Sequence, residues 1–140
     1  MPNQPSGPLD AALARVGDRW TMLVIDVLQR GPARFNDLAE SLPGIAPNTL
    51  SARLKKLEED GIVVARLYSE RPPRSSYQLT APGTELAGAL RLLSAWGARH
   101  SQGEAIRHEA CGTPMEPRWY CPTCDRTVDE PGEPGEVIYV

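Results

Sequence analysis

Residues 34–61 constrain the fold more than any other stretch, because they predict two short helices joined by a tight turn. Both helices carry an apolar stripe at helical spacing: Phe35, Leu38, Ala39 and Leu42 in the first, and Leu50, Leu54 and Leu57 in the second. Between the stripes, Gly44 can adopt a turn conformation and Pro47 suits the first position of a helix. The pattern therefore predicts a helix-turn-helix.

The second of these helices also has a polar face, opposite its leucines. That face and its flank comprise Asn48, Thr49, Ser51, Ala52, Arg53, Lys55 and Lys56. Small hydrogen-bonding groups suit base edges in a major groove, and cations suit phosphates. The face predicts contact with double-stranded DNA. The alternative is an ordinary solvated face of an amphipathic helix.

After Gly61 the hydrophobic period changes, and two strands are predicted over residues 62–70 and 75–80. The turn between them reads ERPPR and places Arg71 and Arg74 at the tip. This is the form of a wing, a hairpin that meets the DNA backbone or minor groove. An ordinary exposed hairpin is the alternative, but a helix-turn-helix followed directly by a hairpin is more specific than either part.

Further helices are predicted on both sides of this motif. The first begins at Pro8, with Leu9, Ala12, Leu13 and Val16 inward, and a nearly all-apolar core helix capped by Asp18 follows it. Thr80 caps a long helix whose apolar stripe runs through Leu86, Leu90, Leu93 and Trp96. We expect the first and last helices to form a homodimer interface, although the last could instead pack on its own domain.

The net charge of −3 does not exclude a nucleic-acid partner, because the charge is unevenly distributed. Residues 125–140 hold five carboxylates and one arginine. From Ala46 to Thr80, six cations outnumber four anions. Local charge sets the field that a phosphate backbone meets, so a modestly basic surface is predicted.

In order and spacing, these segments resemble the HxlR-type winged helix-turn-helix transcriptional regulators of bacteria. The resemblance rests on GDRWTMLVIDVL, RGPARFNDLAESLPGIAPNTLSARLKKLEEDGIV, the ERPPRSSYQLTAPG hairpin and a closing AWG, and covers about residues 8–97. It implies a dimeric DNA-binding repressor or activator. It also implies that the helix from Pro47 to Asp60 is the recognition helix, with Arg71 and Arg74 on the wing.

One departure from the family pattern bears on regulation. Many members carry a cysteine before a proline near the N-terminus, and several use it to sense oxidants, quinones or aldehydes. Here the matching pair is Gly7-Pro8, so redox sensing by that route is not expected.

The three cysteines all lie in the segment HEACGTPMEPRWYCPTC, residues 108–124. His108-x2-Cys111 and Cys121-x2-Cys124 are two ligand pairs with the spacing that closes a tetrahedral Zn²⁺ site. Three thiolates and one imidazole leave no open coordination position, so a structural zinc knuckle is predicted rather than a catalytic centre.

Three other interpretations of this segment stay open. Cys121 and Cys124 could be a redox pair with Cys111 as a bystander. All three could be free thiols in a knuckle that has lost its metal. His108 could be solvated at a helix end, with water or Asp125 as the fourth ligand.

The predicted organisation is mainly α with a small β-hairpin. It comprises a flexible arm (1–7), a winged helix-turn-helix and dimerisation domain (8–102), a cysteine-rich knuckle (103–128) and an acidic tail (129–140). With no apolar run of 18 residues and no signal sequence, we expect a cytoplasmic protein without a membrane span.

The predicted function is that of a sequence-specific, homodimeric DNA-binding transcriptional regulator and not an enzyme, since no nucleophile–base pairing is legible. The alternatives are a protein-interaction module or a thiol redox protein that uses Cys121 and Cys124.

Overall fold

The computed structural model describes residues 6–101 and 103–128, in two compact units that divide between Arg91 and Leu92. Most of the predicted arm and all of the acidic tail lie outside the described residues. Within the described residues, six helices run over Pro8–Val16 (α1), Arg19–Leu28 (α2), Phe35–Ser41 (α3), Pro47–Glu59 (α4), Ala81–Glu85 (α5) and Ala87–His100 (α6). The same part of the chain contains five strands, over Ala33–Arg34 (β1), Val63–Glu70 (β2), Pro73–Leu79 (β3), Trp119–Cys121 (β4) and Arg126–Val128 (β5).

This order of elements confirms the predicted class, mainly α with a small hairpin in a winged helix arrangement. In the described part of the chain, none of the helices is long and apolar enough to cross a membrane.

The core of the first unit is built around α2. The Asp18 side chain accepts a hydrogen bond from the Thr21 N–H, which caps a helix N-terminus that would otherwise hold unpaired donors. Val24, Ile25 and Leu28 are buried against the other helices, as the nearly all-apolar sequence of this helix predicts.

The helix-turn-helix packs onto this core through its leucine stripes. Leu50, Leu54 and Leu57 of α4 are at most 1% exposed. The turn before α4 contains Gly44 at φ 88°, a left-handed conformation that glycine adopts without steric cost. Full burial of a leucine stabilises the fold by roughly 1.5–3 kcal/mol, so these three side chains hold α4 in a defined rotation.

The wing belongs to a three-stranded antiparallel sheet with the order β1-β3-β2. The two-residue β1 pairs Ala33 with Tyr77 and Arg34 with Ser76. A bulge between Leu67 and Ser69 interrupts the β2–β3 ladder towards its tip. Because β1 leads directly into α3, the sheet ties the wing to the helix-turn-helix.

The last predicted helix is divided in the structure into α5 and α6, with the break at Leu86. The Leu86 N–H bonds the carbonyl of Gly83, three residues back, instead of the α-helical partner four residues back. Pro82, Gly83 and Gly88 are weak helix formers, which accounts for the irregular turn. The predicted Thr80 cap is present and accepts from the Gly83 N–H.

The predicted inward stripe of α1 is largely wrong for a single chain, where only Val16 of that helix is buried. Leu9 is 72% exposed and Leu13 is 47% exposed. On α6 the stripe also changes character along its length. Leu86 before it and Leu90 within it pack against the core, whereas Trp96 is 56% exposed.

Gly83 is a close-packing position, which gives a test of the fold. A Cβ atom there would overlap the carbonyl oxygen of Ile62, a backbone atom that cannot easily move. We expect Gly83→Ala to destabilise the protein by about 1–3 kcal/mol, the usual cost of overpacking. Gly88→Ala is the matched control, since a Cβ there meets nothing within 4 Å. Chemical denaturation measures both, and equal stabilities would contradict the close packing of α5 against the Ile62 carbonyl.

Candidate nucleic-acid interface

The polar face of α4 is open to solvent over most of its length. Asn48, Ser51, Ala52 and Lys55 are exposed, while Thr49, Arg53 and Lys56 are half-buried. Because Leu50, Leu54 and Leu57 hold the opposite side in the core, this face cannot rotate away without exposing them. The structure therefore presents an amide, a hydroxyl, a methyl group and an ammonium along one accessible helix face.

Arg53 is tied to the core helix. Its Nε donates to Asp18 Oδ1 at 2.9 Å, and Asp18 also accepts from the hydroxyl and the N–H of Thr21. Burial would raise the pKa of Asp18, but the bonds from Thr21 and the charge of Arg53 outweigh burial and lower that pKa below 3.8. One carboxylate thus caps α2 and orients α4.

Lys56 makes a second tie, to the end of α1. Its Nζ donates to the carbonyl oxygens of Ala14 and Arg15 at 3.3 and 3.0 Å, and it pairs with Asp60 at 3.1 Å. The last carbonyls of a helix have no partner inside the helix, and a cation there also offsets the helix dipole. Lys56 therefore stabilises the contact between α4 and the end of α1, in addition to any contact with a phosphate.

Lys55 differs from both of these cations. Within the described chain it makes no ion pair or side-chain hydrogen bond, and it is exposed. The sequence pattern gives Lys55 and Lys56 the same role. Only the folded chain shows that Lys56, and not Lys55, bonds the end of α1.

The two wing arginines occupy the predicted positions near the tip of the hairpin. Arg74 pairs with Ser69, next to the last pair of the ladder, and Arg71 lies in the turn; both side chains are exposed. The hairpin holds their cationic groups away from the hydrophobic core.

Sequence reasoning did not identify Arg34 as a candidate site residue. Its guanidinium lies 4.7 Å from the centroid of the Tyr68 ring on β2, a cation–π contact that holds the charge on the wing. Arg34 and Arg74 line one open groove with Asn36 and Ser75. The strand pairing of β1 with β3 brings these residues together, and no local motif signals it.

Comparison with known proteins assigns the family. The sequence model described as HxlR-like helix-turn-helix matches residues 15–105. This chain belongs to the HxlR-like family.

Relatives of this HxlR-like protein are regulators by name. The HTH-type transcriptional regulator Rv3095 of Mycobacterium tuberculosis is 38% identical over 122 residues, which span 84% of this chain and 77% of Rv3095. YodB of Bacillus subtilis, also named an HTH-type transcriptional regulator, is 36% identical over 78% of this chain and 98% of its own. The reduced form of YodB superimposes with a TM-score of 0.60 at 35% identity, over 70% of this chain and 98% of that chain. These names are those of transcriptional regulators and not of enzymes.

The cysteine segment lies beyond the residues that the family model matches. The structure brings its candidate ligands together as two separate pairs, His108 with Cys111 and Cys121 with Cys124. Among residues 6–101 and 103–128, no three His, Cys, Asp or Glu side chains are gathered where they could hold one metal ion. The three cysteines are free thiols, with no disulfide.

The lowered pKa of Asp18 predicts how stability depends on pH. Since the folded pKa lies below 3.8, the charge of Asp18 stabilises the fold above about pH 4, and this contribution is lost as the pH falls through the folded value. Asp18→Asn keeps a capping oxygen and should cost about 0.5–1 kcal/mol at pH 7. The difference from the parent should shrink below pH 3.8.

Urea denaturation at a series of pH values measures this difference. Glu59→Gln, which removes an exposed carboxylate from α4, is the control and should change stability little. A penalty for Asp18→Asn that stays constant into strong acid would contradict the role of the Asp18 charge.

Proposed function

We propose that this HxlR-like protein is a homodimeric, cytoplasmic transcriptional regulator that binds specific sequences in double-stranded DNA. The observation that carries the proposal is the two-sided build of α4. Its leucines are fully buried while Asn48, Ser51 and Lys55 remain exposed on the other side. Membership of a helix-turn-helix family also supports DNA binding.

The exposed side chains near the start of α4 have the chemistry of base recognition. The amide of Asn48 can pair with an adenine edge in two hydrogen bonds, and the hydroxyls of Thr49 and Ser51 can donate or accept. The methyl group of Ala52 suits the methyl group of thymine. Because these side chains are short, they would require the helix to lie deep in the major groove.

The cations around α4 suit the phosphate backbone. Lys55 extends from the same face, Arg71 and Arg74 lie on the wing, and Arg34 is held over Tyr68 beside it. Phosphate contacts fix the position of a protein on the duplex and make its affinity sensitive to salt. Arg53 and Lys56 fix the orientation of α4 through Asp18 and the end of α1.

The homodimer is supported by apolar side chains that a single chain leaves exposed. Leu9 and Leu13 lie outward on α1, and Leu92, Leu93 and Trp96 are exposed on α6. Beside α1, an open groove is lined by Ala12, Val16, Ile62, Pro82 and Leu86, together with Ala11 and Arg15. Large exposed apolar side chains next to such a groove are typical of a protein interface, and a second copy offers matching surfaces.

Lys55 and Lys56 provide a matched pair for testing the DNA contact. Lys55→Ala should weaken binding to all duplexes. It should also reduce the slope of log affinity against log salt concentration by about one for each protein chain bound. Its thermal stability should equal that of the parent, and Lys55→Arg should restore binding. Lys56→Ala should instead lower stability by about 0.5–1.5 kcal/mol, because it removes the bonds to α1.

Fluorescence anisotropy at several salt concentrations and thermal unfolding separate these effects. Unchanged affinity and slope for Lys55→Ala would remove this face of α4 from the interface. Failure of the parent to bind any duplex at low salt would overturn the proposal and favour a protein-interaction module.

The dimer is tested by removing apolar groups from α1. The double variant Leu9→Gln, Leu13→Gln should sediment as a monomer, whereas Leu67→Gln, which changes a leucine of β2 that is 57% exposed, should remain a dimer. Sites that the parent selects from a random duplex pool should be nearly palindromic, with half-sites one helical turn or about 34 Å apart. A parent that is monomeric while it binds DNA would contradict the dimer.

A further inference from the structure

We propose that residues 107–128 form a structural zinc site, in which Zn²⁺ joins two turns of the same build through His108, Cys111, Cys121 and Cys124. This site is separate from the proposed DNA-binding face and does not depend on it. The ligand class is a single tetrahedral divalent ion of borderline softness, which thiolates and imidazole prefer.

The first turn is closed by backbone bonds around His108 and Cys111. An antiparallel bridge joins Arg107 to Pro114, and the His108 N–H donates to the Thr113 carbonyl at 2.9 Å. The N–H groups of Cys111 and Gly112 both donate to the His108 carbonyl, at 3.3 and 2.7 Å. Gly112 has φ 71°, so the chain reverses directly after the second donor residue.

The donor atoms of this turn already lie at a distance that suits a metal. His108 Nδ1 is 3.3 Å from Cys111 Sγ. Tetrahedral bonds of about 2.3 Å to sulfur and 2.0 Å to nitrogen place two ligand atoms about 3.5 Å apart. An ion can therefore bind both atoms with little rearrangement of the turn.

The second turn repeats this build at the end of the β4–β5 hairpin. Cys121 pairs with Arg126 across the hairpin, and Cys124 lies in the turn between them. Asp125, directly after the second donor residue, has φ 53°, and it is the only non-glycine residue with positive φ in the described chain. The Tyr120 hydroxyl donates to Asp125 Oδ1 at 2.6 Å and helps to hold this conformation.

In both turns, polar groups of neighbouring residues contact a cysteine sulfur. The Cys111 thiol donates to the Thr113 hydroxyl at 3.3 Å and also contacts the His108 ring. The Cys121 sulfur is hydrogen-bonded by Cys124 and by the N–H of Thr123. Hydrogen-bond partners of this kind orient a ligand towards a metal.

The segment lacks a core that could stabilise these turns without a metal. Every side chain from Arg107 to Tyr120 is exposed, including Met115 and the aromatic residues Trp119 and Tyr120. So small a stretch cannot offset its conformational entropy by burying apolar surface. Metal binding can supply that free energy and fold such a segment directly.

In the described chain the two donor pairs do not meet at one point, so they stand as two half-sites. Residues 115–118 belong neither to the Arg107–Pro114 bridge nor to the β4–β5 hairpin, so backbone rotation there can move one pair towards the other. We infer that the ion itself closes the site by drawing the second turn onto the first.

Metal analysis of the full-length protein, purified in a reducing buffer without a metal-binding tag, tests the proposal. We expect about one zinc per chain, and uptake of Co²⁺ by the metal-free protein with the charge-transfer absorption of thiolate–cobalt bonds. Cys111→Ser and Cys124→Ser should each bring the metal content near zero. His108→Cys should retain the metal and strengthen the charge-transfer band.

His100→Ala is the matched control, because it removes the other histidine of the chain and should leave the metal content unchanged. A parent that contains no zinc and takes up no Co²⁺ would overturn the proposal. So would a Cys111→Ser variant that binds zinc as tightly as the parent, or a Cys121–Cys124 disulfide that persists in the protein purified in the reducing buffer. DNA binding by the metal-free protein distinguishes these results from a failure of the proposed function.

Discussion

The burial of Leu50, Leu54 and Leu57 in the core fixes the rotation of α4 about its own axis. Rotating the helix by half a turn would exchange these leucines for Asn48, Ala52 and Lys55 and would cost several kcal/mol in exposed apolar surface. The rotation decides which side chains meet solvent, and the proposed DNA contact depends on that choice. The wing depends on the same core, because β1 leads into α3 and pairs with β3.

Polar contacts add to the leucines in fixing the orientation of α4. Asp18 caps α2 and pairs with Arg53, and Lys56 bonds the last carbonyls of α1, so two cations of α4 connect it to two other helices. Each exposed pair contributes little to stability on its own. Together they restrict how α4 can tilt, and a helix that must align short side chains with base edges benefits from that restriction.

Two parts of the described chain leave side chains exposed that a single folded chain would be expected to cover. The α1 helix exposes Leu9 and Leu13, and the segment from Arg107 to Tyr120 buries no side chain. In the two proposals, a second protein surface covers the apolar side chains of α1, and a metal stabilises the segment with the cysteine and histidine pairs. The chemistry of the exposed groups thus distinguishes the kind of partner that each part requires.

The sequence by itself determined the helices of the helix-turn-helix, the core helix with its Asp18 cap, the wing hairpin and the family. Those features rest on periodicity and on capping and turn residues, which act over a few neighbouring positions. The exposure of α1, the break at Leu86 and the partners of Arg53 and Lys56 required tertiary structure, as did the stacking of Arg34 on Tyr68. Each of these depends on which distant segments pack together, such as α4 on the end of α1. Residues 35 to 42 positions apart in sequence carry no mutual signal in a local pattern, so only the folded chain could bring them into contact.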